Sequence, residues 1–193
     1  LPLHPAGALG FVPALFDRPD ATYRNGFGQT GKYFGQNAEQ IRSDFALPEA
    51  SGRNAERAEQ ISAGPSVSLH VRRGDYVAVS AHGVCDQAYY DAALSALLPK
   101  LPEAPVIYVF SDDPDWARDN LSLPGERVVV DHNGADADFE DMRLMSLCDH
   151  NVIANSSFSW WGAWLNTNPD NFSYNHLTAP TKKEERSGGW AQS

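Results

Sequence analysis

Two regimes of hydrophobic patterning divide the chain near residue 65. From Ser66 onward, short apolar runs alternate with longer stretches that repeat every three or four residues. The run "SVSLHV" (66–71) predicts a strand. "DQAYYDAALSALLPKL" (86–101) predicts a helix with Tyr90, Leu94, Leu97 and Leu98 on its apolar side. "PVIYVF" (105–110) reads as a buried strand and "PDWARDNL" (114–121) as a short helix opened by Pro114. "ERVVVD" (126–131) is a strand. "DFEDMRLMSLCDH" (138–150) is a helix, with Phe139, Met142, Met145 and Cys148 as the expected apolar face. "HNVIAN" (150–155) is a strand, "SSFSWWGAWLN" (156–166) a helix with serines available to cap it, and "SYNHLTAP" (173–180) a last strand candidate.

Strand and helix alternate throughout this part, which predicts an α/β domain with a parallel sheet of about five strands under covering helices. Right-handed crossovers make such a domain Rossmann-like. Residues 1–64 differ. "LPLHPAGALGFVPALFDRP" is rich in Pro and Gly and holds no sustained period. Helices are expected only around Asn37–Phe45 and in the polar stretch that ends near Gly64, and no closed domain is predicted there.

Ligands of open parallel sheets sit outside the carboxyl ends of the strands. The predicted strands end in four polar clusters: Arg72-Arg73-Gly74-Asp75, Ser111-Asp112-Asp113, Asp131-His132-Asn133 and Asn155-Ser156-Ser157. Their convergence on one rim is more specific than any of them alone. An arginine is a fixed fork of donors suited to phosphate oxygens, and Gly74 lets backbone approach a ligand closely. The plainer alternative is that one arginine pairs with Asp75; adjacent side chains on an extended strand point in opposite directions, so both do not share that task. Ser156 and Ser157 open a helix whose first amide groups form an anion site, whether or not a serine also caps it. Asp112 is placed to accept hydrogen bonds from a purine or a ribose.

Asp113-Pro114-Asp115 and Asp136-Ala137-Asp138 are D-x-D triplets of the kind that hold a metal in some glycosyltransferases. Pro114 opens a helix, which favours Asp113 as its cap. His70 lies inside a strand, where histidine is more often structural, yet it stands two residues before Arg72. Trp160, Trp161 and Trp164 read first as packing residues, with sugar stacking as a second use. No Walker, nucleophile-elbow or dinucleotide-fingerprint motif is present.

Composition narrows the ligand. The 193 residues are 42% hydrophobic, enough for a core, and the formal net charge is −10. That charge disfavours nucleic acid and anionic membranes as partners. A phosphate site must then be a small positive pocket in a negative molecule. The two cysteines, Cys85 and Cys148, form no disulfide framework or cysteine zinc site and read as free thiols. No apolar run approaches the roughly 20 residues of a membrane span, so no stable membrane insertion is expected. No signal peptide is visible, in a sequence that starts at Leu1.

The motifs "HVRRGDY", "CDQAYYDAAL", "VFSDDPDWARDNL" and "DFEDMRLMSLCDHNVIANSSFSWWGAWLN" together resemble the α-1,2-fucosyltransferases, glycosyltransferase family 11. The likeness is dense from Val67 to Asn166 and weaker upstream through "GKYFGQNAEQIRSDF". The H-x-R-R-G-D element is also similar to one in α-1,6- and protein O-fucosyltransferases. The resemblance implies a GT-B-like glycosyltransferase architecture: a Rossmann-like GDP-fucose-binding domain at 65–193, and a partial acceptor-side region with linker at 1–64. It implies inverting transfer of L-fucose from GDP-fucose to the 2-hydroxyl of a galactose in a glycan, with no cofactor and no metal.

Carried over by residue, the resemblance puts Arg72 or Arg73 on the donor pyrophosphate, with Arg72 favoured at the β-phosphate. Asp75 stands beside them as brace or general base. His70, Ser111, Asp112, Asp113, Asn155, Ser156, Ser157, Phe158 and Ser159 line the donor. It assigns no acceptor-binding residue and no oligomeric state. The Gly-rich "GGLGNQ"-type segment usual in the family is missing; "AGALGF" (6–11) is a poor match. Two alternatives stay open: a GDP-sugar-binding module without catalysis, and a metal-dependent enzyme using Asp113 and Asp115. The compartment implied is the cytoplasm for a bacterial protein and the Golgi lumen for a soluble eukaryotic fragment.

Overall fold

The computed structural model describes residues 3–5, 11–19, 23–25, 30–74 and 84–175. It falls into a smaller unit up to Phe45 and a larger one from Ala46 onward. In the smaller unit, β1 (Leu3–Pro5) pairs in parallel with β2 (Tyr23–Asn25). The hydrophobic pattern did not predict these strands; each spans 3 residues, too short to show alternation. Phe11, Phe16 and Tyr33 form an aromatic cluster with ring centroids 5.1–6.1 Å apart. The Tyr33 hydroxyl accepts the Val12 N–H at 2.9 Å. Helix α1 (Ala38–Asp44) follows, where the sequence placed it.

The larger unit is built on five parallel strands, β3 (Ser66–Val71), β4 (Val106–Ser111), β5 (Arg127–Val130), β6 (His150–Val152) and β7 (Ser173–Tyr174). Their order across the sheet is β5-β4-β3-β6-β7. The helices are α2 (Gly52–Ser62), α3 (Gln87–Leu97), α4 (Pro114–Asn120), α5 (Asp138–Leu147) and α6 (Ser157–Leu165). The α/β reading and its parallel sheet hold. The part of the "SYNHLTAP" candidate beyond Asn175 lies outside the described residues.

Each strand alternates between two cores. Val67, Leu69 and Val71 pack with Ile107, Val109, Val152 and the buried faces of α3 and α4. Tyr108, Phe110 and Val130 pack with Ile61 of α2 and Leu144, Met145 and Cys148 at α5. The sheet is thus covered on both faces, which explains why β3 is buried at every position. Tyr90, Leu94 and Leu97 of α3 are among the most buried residues, and Leu98 packs at the edge of the same core. Truncating a leucine here to alanine costs about 2–5 kcal/mol.

Phe139 departs from expectation: it is 43% exposed. A spacing of three slips about 60° per step against the 3.6-residue turn. Phe139 and Cys148 therefore end on opposite faces of α5, and the buried stripe is Leu144, Met145 and Cys148. Helix α6 lies close on α5 because Gly162 faces Met145; a Cβ there would stand 3.0 Å from the Met145 Cβ. Beneath this contact a buried amide network joins α6 to the sheet. Asn151 Nδ2 donates to Ser68 Oγ at 2.7 Å and to the Met145 carbonyl at 2.8 Å, while its Oδ1 accepts from Asn166 and Asn171 at 2.9 and 2.7 Å. Both cysteines are free, Cys148 buried and Cys85 half-buried. No helix among the described residues is long and apolar enough to cross a membrane.

Candidate functional site

The chain order reverses at β3. Strands β4 and β5 lie to one side of it and β6 and β7 to the other, so the crevice outside β3 and β6 is the topological switch point. The last paired residues there are Leu69 and Val152. Three positions beyond them stand Arg72 and Asn155.

Strand parity separates the arginines. Val71 points into the core shared with α3 and α4. His70 points the other way, its ring 5.7 Å from that of Phe158 in the first turn of α6. The alternation carried on puts Arg72 on the α6 side and Arg73 on the α4 side. Arg73 is found there, its guanidinium 3.6 Å over the ring of Trp116. Its Nε is 3.7 Å from Asp113 Oδ2, an ion-pair distance beyond hydrogen-bond reach.

Asp112 joins the two. One carboxylate oxygen accepts the Arg73 backbone N–H at 2.9 Å and the other meets Arg72 Nη1 at 3.1 Å. Gly74 leaves room for this: a Cβ in its place would lie 2.5 Å from Asp112 Oδ2. Ser111 Oγ donates to the Val71 carbonyl at 2.9 Å and accepts the Asp113 N–H at 3.0 Å, tying the ends of β3 and β4 together. Asp113 caps α4 through the Trp116 N–H at 3.1 Å. Asp115 is committed to Arg118 at 2.6 Å, and Arg118 also holds Asp131 at 2.7 Å. The first D-x-D triplet is therefore a helix cap and a surface ion pair.

His70 is 3% exposed. Burial, with the Arg72 charge as a second cause, lowers its pKa to about 3, so the imidazole is neutral. Its Nδ1 is buried without a hydrogen-bond partner, and its carbonyl accepts the Tyr90 hydroxyl at 3.1 Å. Ser156 is the N-cap of α6, and its side chain makes no capping bond. Its carbonyl instead receives the Trp160 N–H at 3.1 Å and the Ser159 hydroxyl at 3.2 Å. The amides of Ser157, Phe158 and Ser159 open the helix toward the β3–β6 crevice, and negative charge is favoured at such an end.

Arg72, Arg73, Ser111, Asp112 and Asp113 are thus joined at the ends of β3 and β4, and His70 meets Phe158 of the first α6 turn on the other face of β3. Asp75 lies outside the described residues. The third expected cluster stands apart, at the end of β5. His132 Nε2 is 2.7 Å from Asn54 Oδ1. Asn54 and Asn133 exchange hydrogen bonds at 2.9 and 3.0 Å, and Asn133 donates to Asp141 at 2.7 Å. Burial raises the Asp141 pKa to about 6. Sequence reasoning missed Asn54 and Asp141, whose roles depend on α2 and α5 meeting at this strand end. It also missed Trp116 as the plate under Arg73; the signal was a tryptophan in the first turn after the acid pair of "SDDPDW".

The strand order and this rim define a Rossmann-type parallel α/β unit with two arginines at the end of the strand where the chain order reverses. The chain belongs to glycosyl transferase family 11, whose model matches residues 16–185. It is 36% identical over 169 residues to an alpha-1,2-colitosyltransferase of Escherichia coli, covering 83% of this chain and 56% of that protein. It is 44% identical over 109 residues to the O-antigen biosynthesis glycosyltransferase WbnK of Escherichia coli, covering 54% and 36%. It is 31% identical over 153 residues to galactoside alpha-(1,2)-fucosyltransferase 1 of Ateles belzebuth, covering 73% and 42%. The chain therefore spans 36–56% of the length of these curated relatives. Among solved structures it is similar to POFUT1 in complex with GDP, with a TM-score of 0.44 and 17% identity over 80% of this chain and 54% of that one.

Proposed function

We propose that this chain belongs to an enzyme that transfers L-fucose, with inversion, from GDP-fucose to the 2-hydroxyl of a galactose in a glycan. The supporting observation is the switch point of the sheet, where Arg72 follows the end of β3 and the first turn of α6 follows β6, in a family 11 chain. The name of the Ateles belzebuth relative supports the fucosyl donor and galactoside acceptor. We assign the Rossmann-like part, 65–193, to donor binding within a GT-B-like architecture, and 1–64 to the acceptor-side region and linker.

In this reading the acceptor oxygen forms its bond to the sugar C1 as the bond from C1 to the β-phosphate oxygen breaks. The electron pair leaves with GDP. Arg72 and the α6 amides receive the charge that develops there, a stabilisation stronger in the transition state than in the bound donor. The hydroxyl proton passes to a general base, for which Asp75 is the candidate. Asp112 holds Arg72 in place, Ser111 ties the ends of β3 and β4 together beneath the pair, Asp113 adds a longer ion pair to Arg73, and neutral His70 borders the donor beside Phe158. Positive charge comes from the protein, so the reaction proceeds without metal.

Incubation with GDP-fucose and lactose in EDTA, with GDP release measured, tests this. Release that requires Mn²⁺ overturns the metal-free reading and restores a role for Asp113 and Asp115. A second reading is a GDP-sugar-binding unit without transfer. It predicts calorimetric GDP binding with no fucosylated product.

A further inference from the structure

We infer that Trp116 is a positioning residue for the arginine pair: its indole fixes Arg73 as a brace and leaves Arg72 as the guanidinium that meets the donor phosphates. The inference rests on the proposed donor site and adds a division of labour within it. Trp116 is itself well held. It packs against the core formed with α3 and α4, and its backbone N–H is bound by Asp113. The indole offers its other side to Arg73 at 3.6 Å.

Three features mark Arg73 as a brace. Its Nε is buried without a hydrogen-bond partner, so the guanidinium sits where the ring holds it and not where a carboxylate would draw it closest. Its backbone N–H fixes Asp112, whose second oxygen meets Arg72. Parity sends its side chain toward α4, away from His70 and the α6 turn. A chain of contacts therefore runs from Trp116 through Arg73 and Asp112 to Arg72. A guanidinium 3.6 Å over an indole ring keeps its charge at the strand end while the ring shields it from solvent on that side.

The test is a cycle of Trp116→Leu, Trp116→Phe and Arg73→Met, each read by GDP calorimetry, by separate kcat and KM for GDP-fucose, and by urea midpoint. Loss of the ring face is expected to raise the GDP Kd ~3- to 30-fold in Trp116→Leu. Trp116→Phe, which keeps a face, should stay within ~3-fold of wild type. The Trp116→Leu/Arg73→Met double variant should be no worse than the poorer single, because both remove one contact. Because Arg72 acts more strongly in the transition state than on the bound donor, kcat should fall as well as KM rise. Trp116 also packs in the core, so Arg73→Met, which leaves the core intact, must weaken GDP to the same degree.

Wild-type GDP affinity in Arg73→Met, or additive losses in the double variant, overturns the positioning role while the donor-site reading stands. Equal losses in Trp116→Leu and Trp116→Phe that track their urea midpoints also overturn it. A wild-type protein that binds no GDP sinks the donor site and this inference together.

Discussion

Gly74→Ala is the smallest change that strikes the arginine brace. The added methyl would lie 2.5 Å from Asp112 Oδ2 and 3.4 Å from its Cγ, so the carboxylate must turn away. Turning breaks the bond from the Arg73 N–H, now 2.9 Å, and the pair with Arg72, now 3.1 Å. Both involve a charged acceptor. The Arg72 and Asp112 side chains are 32% and 23% exposed, so solvent takes up part of the loss. We expect a stability loss of about 1–3 kcal/mol, and a GDP Kd raised ~10- to 100-fold because Arg72 loses its orientation. Urea unfolding at constant m measures the first and calorimetry the second. The decisive comparison is the same substitution in an Asp112→Ala background. With no carboxylate to displace, Gly74→Ala should then cost less than ~0.5 kcal/mol. An equal cost in both backgrounds would show that the methyl acts on the backbone or elsewhere, and the close approach to Asp112 would not be why this position is glycine.

Two further substitutions probe the frame around the site. Asn151→Leu takes a partner from the Ser68 hydroxyl, the Met145 carbonyl and the amides of Asn166 and Asn171, the last two keeping the Cys148 and Asp149 carbonyls, and should cost about 2–4 kcal/mol by urea unfolding; a loss below ~1 kcal/mol would mean that the network is not what ties α6 to the sheet. Asp141 has its folded pKa raised from 3.8 to about 6 by burial, so its contribution is most favourable below the unfolded pKa and is lost as pH rises through the folded one. Asp141→Asn should therefore gain on wild type between pH 4 and pH 7.5, by about 1 kcal/mol after allowance for partial exposure. A difference independent of pH would contradict the raised carboxyl.

The doubly covered sheet was legible because its signals are local. "SVSLHV" is a strand at Ser66–Val71, and Pro114 marks the first residue of α4. Rim positions followed from strand ends alone, which brought His70, Arg72, Asp112 and Ser156 to notice. Partners were not legible, because they depend on which helix comes to rest beside which strand end. Asp75, weighed as the partner of an arginine, lies outside the described residues. Asp112 and Asp113, read from the resemblance as donor contacts, also pair with Arg72 at 3.1 Å and Arg73 at 3.7 Å, since the pairing of β3 with β4 brings Val71 level with Ser111. Phe139 was misplaced because a spacing of three imitates a helical face over one turn and leaves it over three. β1 and β2 were too short for any period to show.

The central claim is that Arg72, at the end of β3, holds the departing GDP. Its most direct test is turnover of GDP-fucose with lactose in EDTA, wild type against Arg72→Ala, with the folded state of both checked by their urea midpoints. The account predicts GDP release by the wild type, and a loss in kcat/KM of at least ~30-fold in the variant, about 2 kcal/mol of transition-state stabilisation. Turnover by Arg72→Ala near the wild-type rate would contradict it.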